Sequence, residues 1–510
     1  MRAAFAIGLS ARAPRHVTVR IAAPGARFSL LEPREWTLRM GGRTERSGRA
    51  ERAVLTFDDL LPDTEYVLQV DGAAPYGFHT APCAGLVDIA SFGAREDADD
   101  NGPAIAAAIA ATPPGGTLFV PPGRWLTAPL FLRSHLTLHL AKDAELAAVV
   151  DRDRFAILPA HRADGRMLGS WEGLPAAAYA ALVTAIDCRN IAIAGSGTLD
   201  GGGDRGDWWS WPKETRDGAR RARTIYLNGC EDVTLAGITV RNSPSWTVHP
   251  VYCRLLTASA MTILNHTDSP NTDGLNPESC EDVLIEGVRF SVGDDCIAIK
   301  AGKRGDGVDS HLAPTRRVTV RHCLMERGHG GVVIGSEMSG SVTDVSVTAC
   351  DFRDTDRGLR IKTRRGRGGE VARIAVSQCA MDGVDTGFEA NAFYFCDADG
   401  KSEAVQSRLP AVVDATTPRV RDIAIRDVAL SGIRLAAGVF LGLPEAPITG
   451  LTLGGIRASF DPEAEAAIPL MACHVPPMRH EGVCAEFAEV TLAGPVVPSA
   501  LATIRGISEC

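Results

Sequence analysis

Asn190-Ile191-Ala192-Ile193-Ala194-Gly195, Asp232-Val233-Thr234-Leu235-Ala236-Gly237 and Asp282-Val283-Leu284-Ile285-Glu286-Gly287 are one phrase written three times. Each opens on Asn or Asp, alternates apolar residues with others, and closes on glycine. Alternation at a period of two marks a strand with one buried face. Similar runs begin at Arg317, Asp344, Arg373, Asp422 and Gly450. The spacing is about 25 to 35 residues, or about double where one turn has drifted. A unit of this size holds a short strand, a bend, another strand and a polar loop. It cannot bury its apolar face alone, but stacked units share one core. The repeat therefore predicts a parallel β-helix from about residue 130. The alternatives are a sandwich array and a propeller, which needs four strands per blade and a longer period.

The cysteines fit the same frame. Cys188, Cys230 and Cys280 open equivalent phrases, and Cys323, Cys350 and Cys379 share another point of the repeat. Equivalent residues on successive turns stack at roughly 4.8 Å, and free Cys is small and commonly buried. Most of the 13 cysteines are therefore expected to be reduced core residues. No Cys-x-x-Cys pair suggests zinc.

Ahead of the repeat, residues 1–82 read as a small β-sandwich domain. Val17-Thr18-Val19-Arg20-Ile21 and Tyr66-Val67-Leu68-Gln69-Val70 alternate, with turn residues between. Leu61-Pro62-Asp63-Thr64-Glu65-Tyr66 resembles, in compressed form, the tyrosine corner of fibronectin type III sandwiches. Its expected role is packing against, or partly walling, the main domain, residues 83–510. Residues 81–85 serve as a linker. Asn101-Gly102-Pro103 then predicts an N-capped helix through Ala111 that plugs the open end of the stack.

The whole chain is expected to be all-β, with 45% hydrophobic and 23% charged residues, as in ordinary globular proteins. No apolar run is long enough for a membrane-spanning helix. A net charge of −9 argues against nucleic acid as the main partner. The apolar run from Ala3 to Leu9 is short for a signal peptide and reads as a first strand. That reading predicts a cytoplasmic protein; a signal would instead make it periplasmic or secreted.

The chemistry concentrates in one place. Asn271-Thr272-Asp273-Gly274 is followed by Gly293-Asp294-Asp295-Cys296, so three carboxylates fall within 23 residues. One acid in a loop is usually a solvated turn former. Asp273 and the Asp294–Asp295 pair, one repeat apart, are expected to stack. Both members of the pair point outward only if the chain bends, which Gly293 permits. Close carboxylates resist ionising together, so one becomes an acid while others stay bases. An inverting glycosidase needs such a division. One repeat later, Gly328-His329-Gly330-Gly331 places His329 near the acids. Next, Arg360-Ile361-Lys362 projects Arg360 and Lys362 to one face. They sit in a run, Arg357 to Arg367, of six basic residues and no acid, expected to clamp substrate carboxylates. Asn271 and Lys300, flanking the acids, join the candidates for substrate binding.

These four motifs in this order resemble the pectin-degrading polygalacturonases of glycoside hydrolase family 28. So do Gly195-Ser196-Gly197-Thr198-Leu199-Asp200-Gly201, Trp208-Trp209 and the stretch from Asn242 to Pro250. The resemblance covers roughly residues 86–460. It implies a right-handed parallel β-helix and inverting, metal-independent hydrolysis of α-1,4-galacturonosyl bonds, with no cofactor. By match, Asp294 is the general acid, while Asp273 and Asp295 position and deprotonate water. His329 supports the acid, and Arg360 and Lys362 bind galacturonate carboxylates. The resemblance favours polygalacturonate or oligogalacturonates over rhamnogalacturonan. The N-terminal sandwich resembles bacterial exo-acting members, and insertions near 151–180 and 301–315 are placed to close one end of a cleft. Release of mono- or digalacturonate from chain ends is therefore expected, with endo action the alternative. A calcium-dependent pectate lyase and a non-catalytic carbohydrate-binding solenoid are the rival readings, since fold does not fix function. Oligomeric state stays open.

Overall fold

The computed structural model describes residues 5–211, 213–305, 309–494, 496–497 and 503–509. Three faces of stacked parallel strands wind into a right-handed β-helix. One face is a 13-stranded sheet and the second a 12-stranded sheet. The third is split into sheets of four and seven strands. The repeated phrases all lie in the 13-stranded sheet, where Ile191 pairs with Val233, and Val283 with Val318. Their inward residues join one continuous core with Leu138, Leu256, Val345, Ile374 and Ile423.

The long spacings in the repeat have two different origins. Between Asp232 and Asp282 lies a complete turn whose phrase has drifted: Arg254–Ser259 pairs with Glu231–Ala236 on one side and Glu281–Glu286 on the other. Between Arg373 and Asp422 no turn is hidden. Glu370–Ser377 pairs directly with Arg419–Arg426, and the intervening chain is an excursion on the third face. Alternation reports a strand, not how much chain lies between strands.

The cysteine ladder is present, with Cys253 of the drifted turn completing it: its N–H donates to Cys280 Sγ at 3.4 Å. The eleven cysteines from Cys83 to Cys473 are free, whereas Cys484 is disulfide-bonded. The predicted helix forms over Gly102–Ala111 and buries Ile105, Ala108 and Ile109 at the start of the stack. Its cap differs from expectation. Asn101 bonds Arg95 and Leu126 instead, and the carboxylate of Asp100 accepts from Gly102 N at 2.7 Å.

Residues up to 79 form two antiparallel sheets, of three and four strands, around a separate core that includes Val19, Leu38, Phe57, Tyr66 and Leu68. Leu61 N–H donates to the Tyr66 hydroxyl at 2.9 Å, fixing the turn into that strand. This unit docks on the β-helix through Thr18 to Ser259 (2.8 Å), Arg20 to Glu286 (3.3 Å) and Arg27 to Asp351 (2.5 Å). None of its described residues lines the acidic pockets described next.

Candidate active site

The acids sit where the third face is interrupted. Leu275 and Glu278 make only isolated bridges, to Val248 and Val251 on one turn and to Ile297 and Lys300 on the next. Backbone bonds lock the register. Thr247 N–H donates to Asp273 O (2.8 Å), Gly274 N–H to Asp295 O (3.0 Å), and His329 N–H to Asp294 O (3.0 Å). Asp273, Asp295 and the His329 turn are therefore held on successive turns. Cys296 and Ile297 both enter the core, which breaks strict alternation and leaves both acids of the pair outside it.

Two glycines are needed here, for space. A Cβ on Gly274 would lie 2.4 Å from Cys296 O and 2.6 Å from Phe290 Cδ1. One on Gly293 would lie 2.4 Å from Ser269 O. Gly293 therefore serves close approach of the chain, not the free bend expected from sequence, and is absent from the positive-φ glycines.

The three carboxyls ionise differently. Burial pushes Asp273 well above the usual carboxylate range, and Asp294 and Asp295 add to the rise. Asn276 Nδ2 donates to its Oδ2 at 2.7 Å. Burial and Asp295 also raise Asp294, with Lys362, His329 and Lys300 opposing. Burial acts on Asp295 too, but Lys362 and Arg360 outweigh it and hold this carboxyl below the usual range. Lys362 Nζ donates to Asp295 Oδ2 at 2.7 Å. One carboxyl held down by cations thus stands beside two raised by burial and by a neighbouring carboxyl.

His329 lies at the mouth, its Nδ1 2.8 Å from Asp356 Oδ2. That bond pushes the imidazole up to about 9 although burial opposes it. Asn271 is fixed from below, its Oδ1 accepting from Arg221 Nη2 at 2.7 Å. Arg221 also donates to the carbonyls of Pro244 (2.7 Å) and Pro270 (2.9 Å). Lys300 pairs with Glu337 at 2.7 Å and lies 4.5 Å from the centre of the Trp246 ring. Burial opposes ionisation of Glu337, but Lys300 holds it down to about 2.

Asn271, Asp273, Asp294, Asp295, Lys300 and Lys362 line one pocket of about 110 Å³. A second opening of about 560 Å³ shares Asn271, Asp294 and Lys213 with it and adds His329. Asp294 thus stands between a small inner compartment and a wider outer one. Arg360 is the exception among the sequence candidates. It is buried behind the wall, with Nε 3.1 Å from Glu389 and its guanidinium 5.5 Å from the Tyr394 ring.

The basic run is not an open clamp. Arg357 pairs with Glu389, Arg364 with Asp397 and Asp399, Arg365 with Glu445, and Arg367 with Asp397. All these acids arrive from distant chain, so a local charge count overstated the free charge.

Sequence reading missed Glu172, Lys213, Ser336, Glu337, Tyr394, Cys396 and Asp397 in the inner wall. Trp246 was noted only within a longer stretch. Glu172, Lys213 and Asp397 lie on excursions that carry no repeat signal. The excursions are tied together: Lys303 N–H donates to Gly173 O at 2.9 Å, and Lys303 Nζ pairs with Asp397 at 2.6 Å. The insertions expected to close one end, 151–180 and 301–315, do meet here, although residues 306–308 lie outside the described residues.

The sequence profile of glycosyl hydrolases family 28 matches residues 171–434, just over half of the chain. A probable polygalacturonase from Vitis vinifera is 34% identical over 346 residues, which cover 67% of this chain and 66% of that protein. Across the first curated relatives the chain spans between about half and two thirds of their length. Among solved structures, a hyperthermoactive exopolygalacturonase from Thermotoga maritima is 25% identical, with a TM-score of 0.64 over 80% of this chain and 90% of that one. The Yersinia enterocolitica family 28 exopolygalacturonase, 19% identical, shares the fold with a TM-score of 0.65 over 96% of this chain and 98% of that one. With the profile spanning the Asp273, Asp294–Asp295, His329 and Arg360–Lys362 motifs, the chain belongs to family 28 of the glycosyl hydrolases.

Proposed function

We propose that the protein hydrolyses α-1,4-galacturonosyl bonds of polygalacturonate or oligogalacturonates, with inversion, from the ends of chains. The observation that carries this reading is three adjacent carboxyls, only one of them paired with Lys362, at the junction of a small compartment and a wider one.

Asp294, raised by burial and by Asp295, faces both compartments and donates a proton to the glycosidic oxygen as the bond to the anomeric carbon breaks. His329, cationic below about pH 9, then stabilises the carboxylate left behind. Water attacks the anomeric carbon from the opposite face, and its proton passes to Asp295, the carboxylate kept ionised by Lys362. Asp273 orients that water through a carboxyl fixed by Asn276. The sequence reading gave Asp273 and Asp295 one shared task; their opposite shifts divide it. Lys213, Lys300 and Lys362 present cations to uronate carboxylates, with Arg360 supporting Tyr394 and Glu389 from behind. No step calls for a metal.

The wall supports chain-end attack. Glu172, Glu337, Tyr394 and Asp397 line the inner compartment, and on this reading they stop the polymer so that its end and not its middle is cleaved. Mass analysis of products from a defined oligogalacturonate, with viscosity of polygalacturonate followed in parallel, tests both parts. Mono- or digalacturonate with slow viscosity loss is expected. A fast viscosity drop with few new reducing ends would sink chain-end attack, and an unsaturated product would sink hydrolysis.

A further inference from the structure

Far from the cleft, the seam between the N-terminal sandwich and the β-helix gathers titratable groups that the reaction does not use: His16, Asp58, Asp59 and His139. His139 lies on Leu136–Leu140 of the 13-stranded sheet and is completely buried. Its ring stacks on Phe119 at 5.9 Å, which fixes its plane. Neither ring nitrogen has a hydrogen-bond partner among the described residues. Buried polar groups in native proteins nearly always do. Nε2 nevertheless points at Asp58, 3.6 Å from Oδ1.

Asp58 is itself held in place. Its Oδ2 accepts from the Ser196 hydroxyl at 2.7 Å, and its Oδ1 lies 3.2 Å from His16 Nδ1. Asp59 follows in the left-handed region, at φ +54. Arg46 donates to the carbonyl oxygens of Asp58 (2.5 Å) and Asp59 (3.1 Å), which anchors the turn. One donor atom each from Asp58, Asp59 and His139 falls within 4.8 Å of the others.

We propose that Asp58, Asp59 and His139 bind a divalent cation of the zinc class that fastens the sandwich to the β-helix. One imidazole and two carboxylates suit such an ion. With bonds of about 2.1 Å, tetrahedral ligands lie roughly 3.4 Å apart, close to the 3.6 Å between His139 and Asp58. With neither ring nitrogen of His139 engaged among the described residues, a lone pair is free to bind the ion. His16 is an orienting partner, because its Nε2 is turned against Gly237, where a Cβ would come within 2.6 Å. Asp59 is exposed, which gives the ion a path from solvent and a fourth position for water. The ion serves docking of the two units, so hydrolysis stays metal-independent.

The test uses the full chain, stripped with a chelator and titrated with Zn²⁺ alone by calorimetry, with thermal unfolding followed in parallel. One equivalent is expected to bind and to raise the unfolding midpoint. Asp59→Asn keeps a residue that tolerates the left-handed turn. It is expected to lose zinc binding while unfolding normally in chelator and cleaving oligogalacturonate at the wild-type rate. Ser196→Ala, which removes an outer partner of Asp58, is expected to weaken binding by about 10- to 100-fold. Failure of the stripped wild type to bind Zn²⁺, or equal binding by Asp59→Asn, overturns the proposal.

Discussion

Replacing Lys362 by Met removes the cation that keeps Asp295 ionised. The pair is 2.7 Å apart and both side chains are buried. Coulomb attraction at that distance is about 6 kcal/mol at an effective dielectric constant near 20. The net effect is smaller, because Arg360 and Lys300 still act on the same carboxylate. Loss of one adjacent cation shifts a carboxyl by about 1–3 pH units, equivalent to about 1.4–4 kcal/mol. The sign is fixed: Asp295 loses its depression, so its pKa rises and the base is formed only at higher pH. The acid limb of kcat/KM should therefore move upward by about 1–3 pH units. Asp295 also stabilises the fold above its unfolded pKa, and that contribution fades as pH falls through the depressed folded value. In the variant that contribution is lost. A reducing-end assay across the acid and neutral range reads the limb, and Lys362→Arg, which keeps the charge, serves as control. Loss of substrate binding alone would raise KM equally at every pH. A Lys362→Met enzyme with a lower kcat/KM but an unmoved acid limb would refute the assignment of Asp295 as the ionised base.

Asp294→Asn removes the proton donor and is expected to abolish hydrolysis while retaining oligogalacturonate binding by calorimetry; normal turnover would disprove its role. Asp356→Asn takes away the partner that raises His329 to about 9, so the imidazole should titrate nearer 6.5 by NMR. A raised histidine stabilises the fold fully below its unfolded pKa and loses that effect as pH rises through about 9, so the basic limb of activity and this contribution should both move to lower pH. Gly274→Ala forces a methyl against Cys296 O and Phe290; kcat should fall by about 100-fold, as expected for a displacement near 1 Å, and an unchanged kcat would remove the claim that close packing sets Asp273.

Some of this architecture was legible in one dimension. The phrases at Asn190, Asp232 and Asp282 specify strands because inward residues must alternate with outward ones on a pleated chain. Stacking follows because each short unit leaves its apolar face unpaired. The motifs at Asn271, Gly293, Gly328 and Arg360 fall one or two turns apart, so the winding alone brings most of them to one face. Tyr66 and its turn were likewise local enough to read.

Tertiary structure decided the rest, because charge and space depend on chain that arrives from far away. Glu389, Asp397 and Glu445 neutralise a run of cations that looks free in sequence. Lys362 reaches back 67 positions to Asp295 and holds that carboxyl down. Glu172, Tyr394 and Asp397 wall the cleft from excursions without periodicity. His139 meets Asp58 only because two separately folded units share a seam. The sequence by itself determined the winding and the three acids, since both follow from short-range pattern. Which carboxyl a cation holds down, and which side chains wall the cleft, depend on burial and on partners dozens of residues away, terms that exist only once the chain is folded.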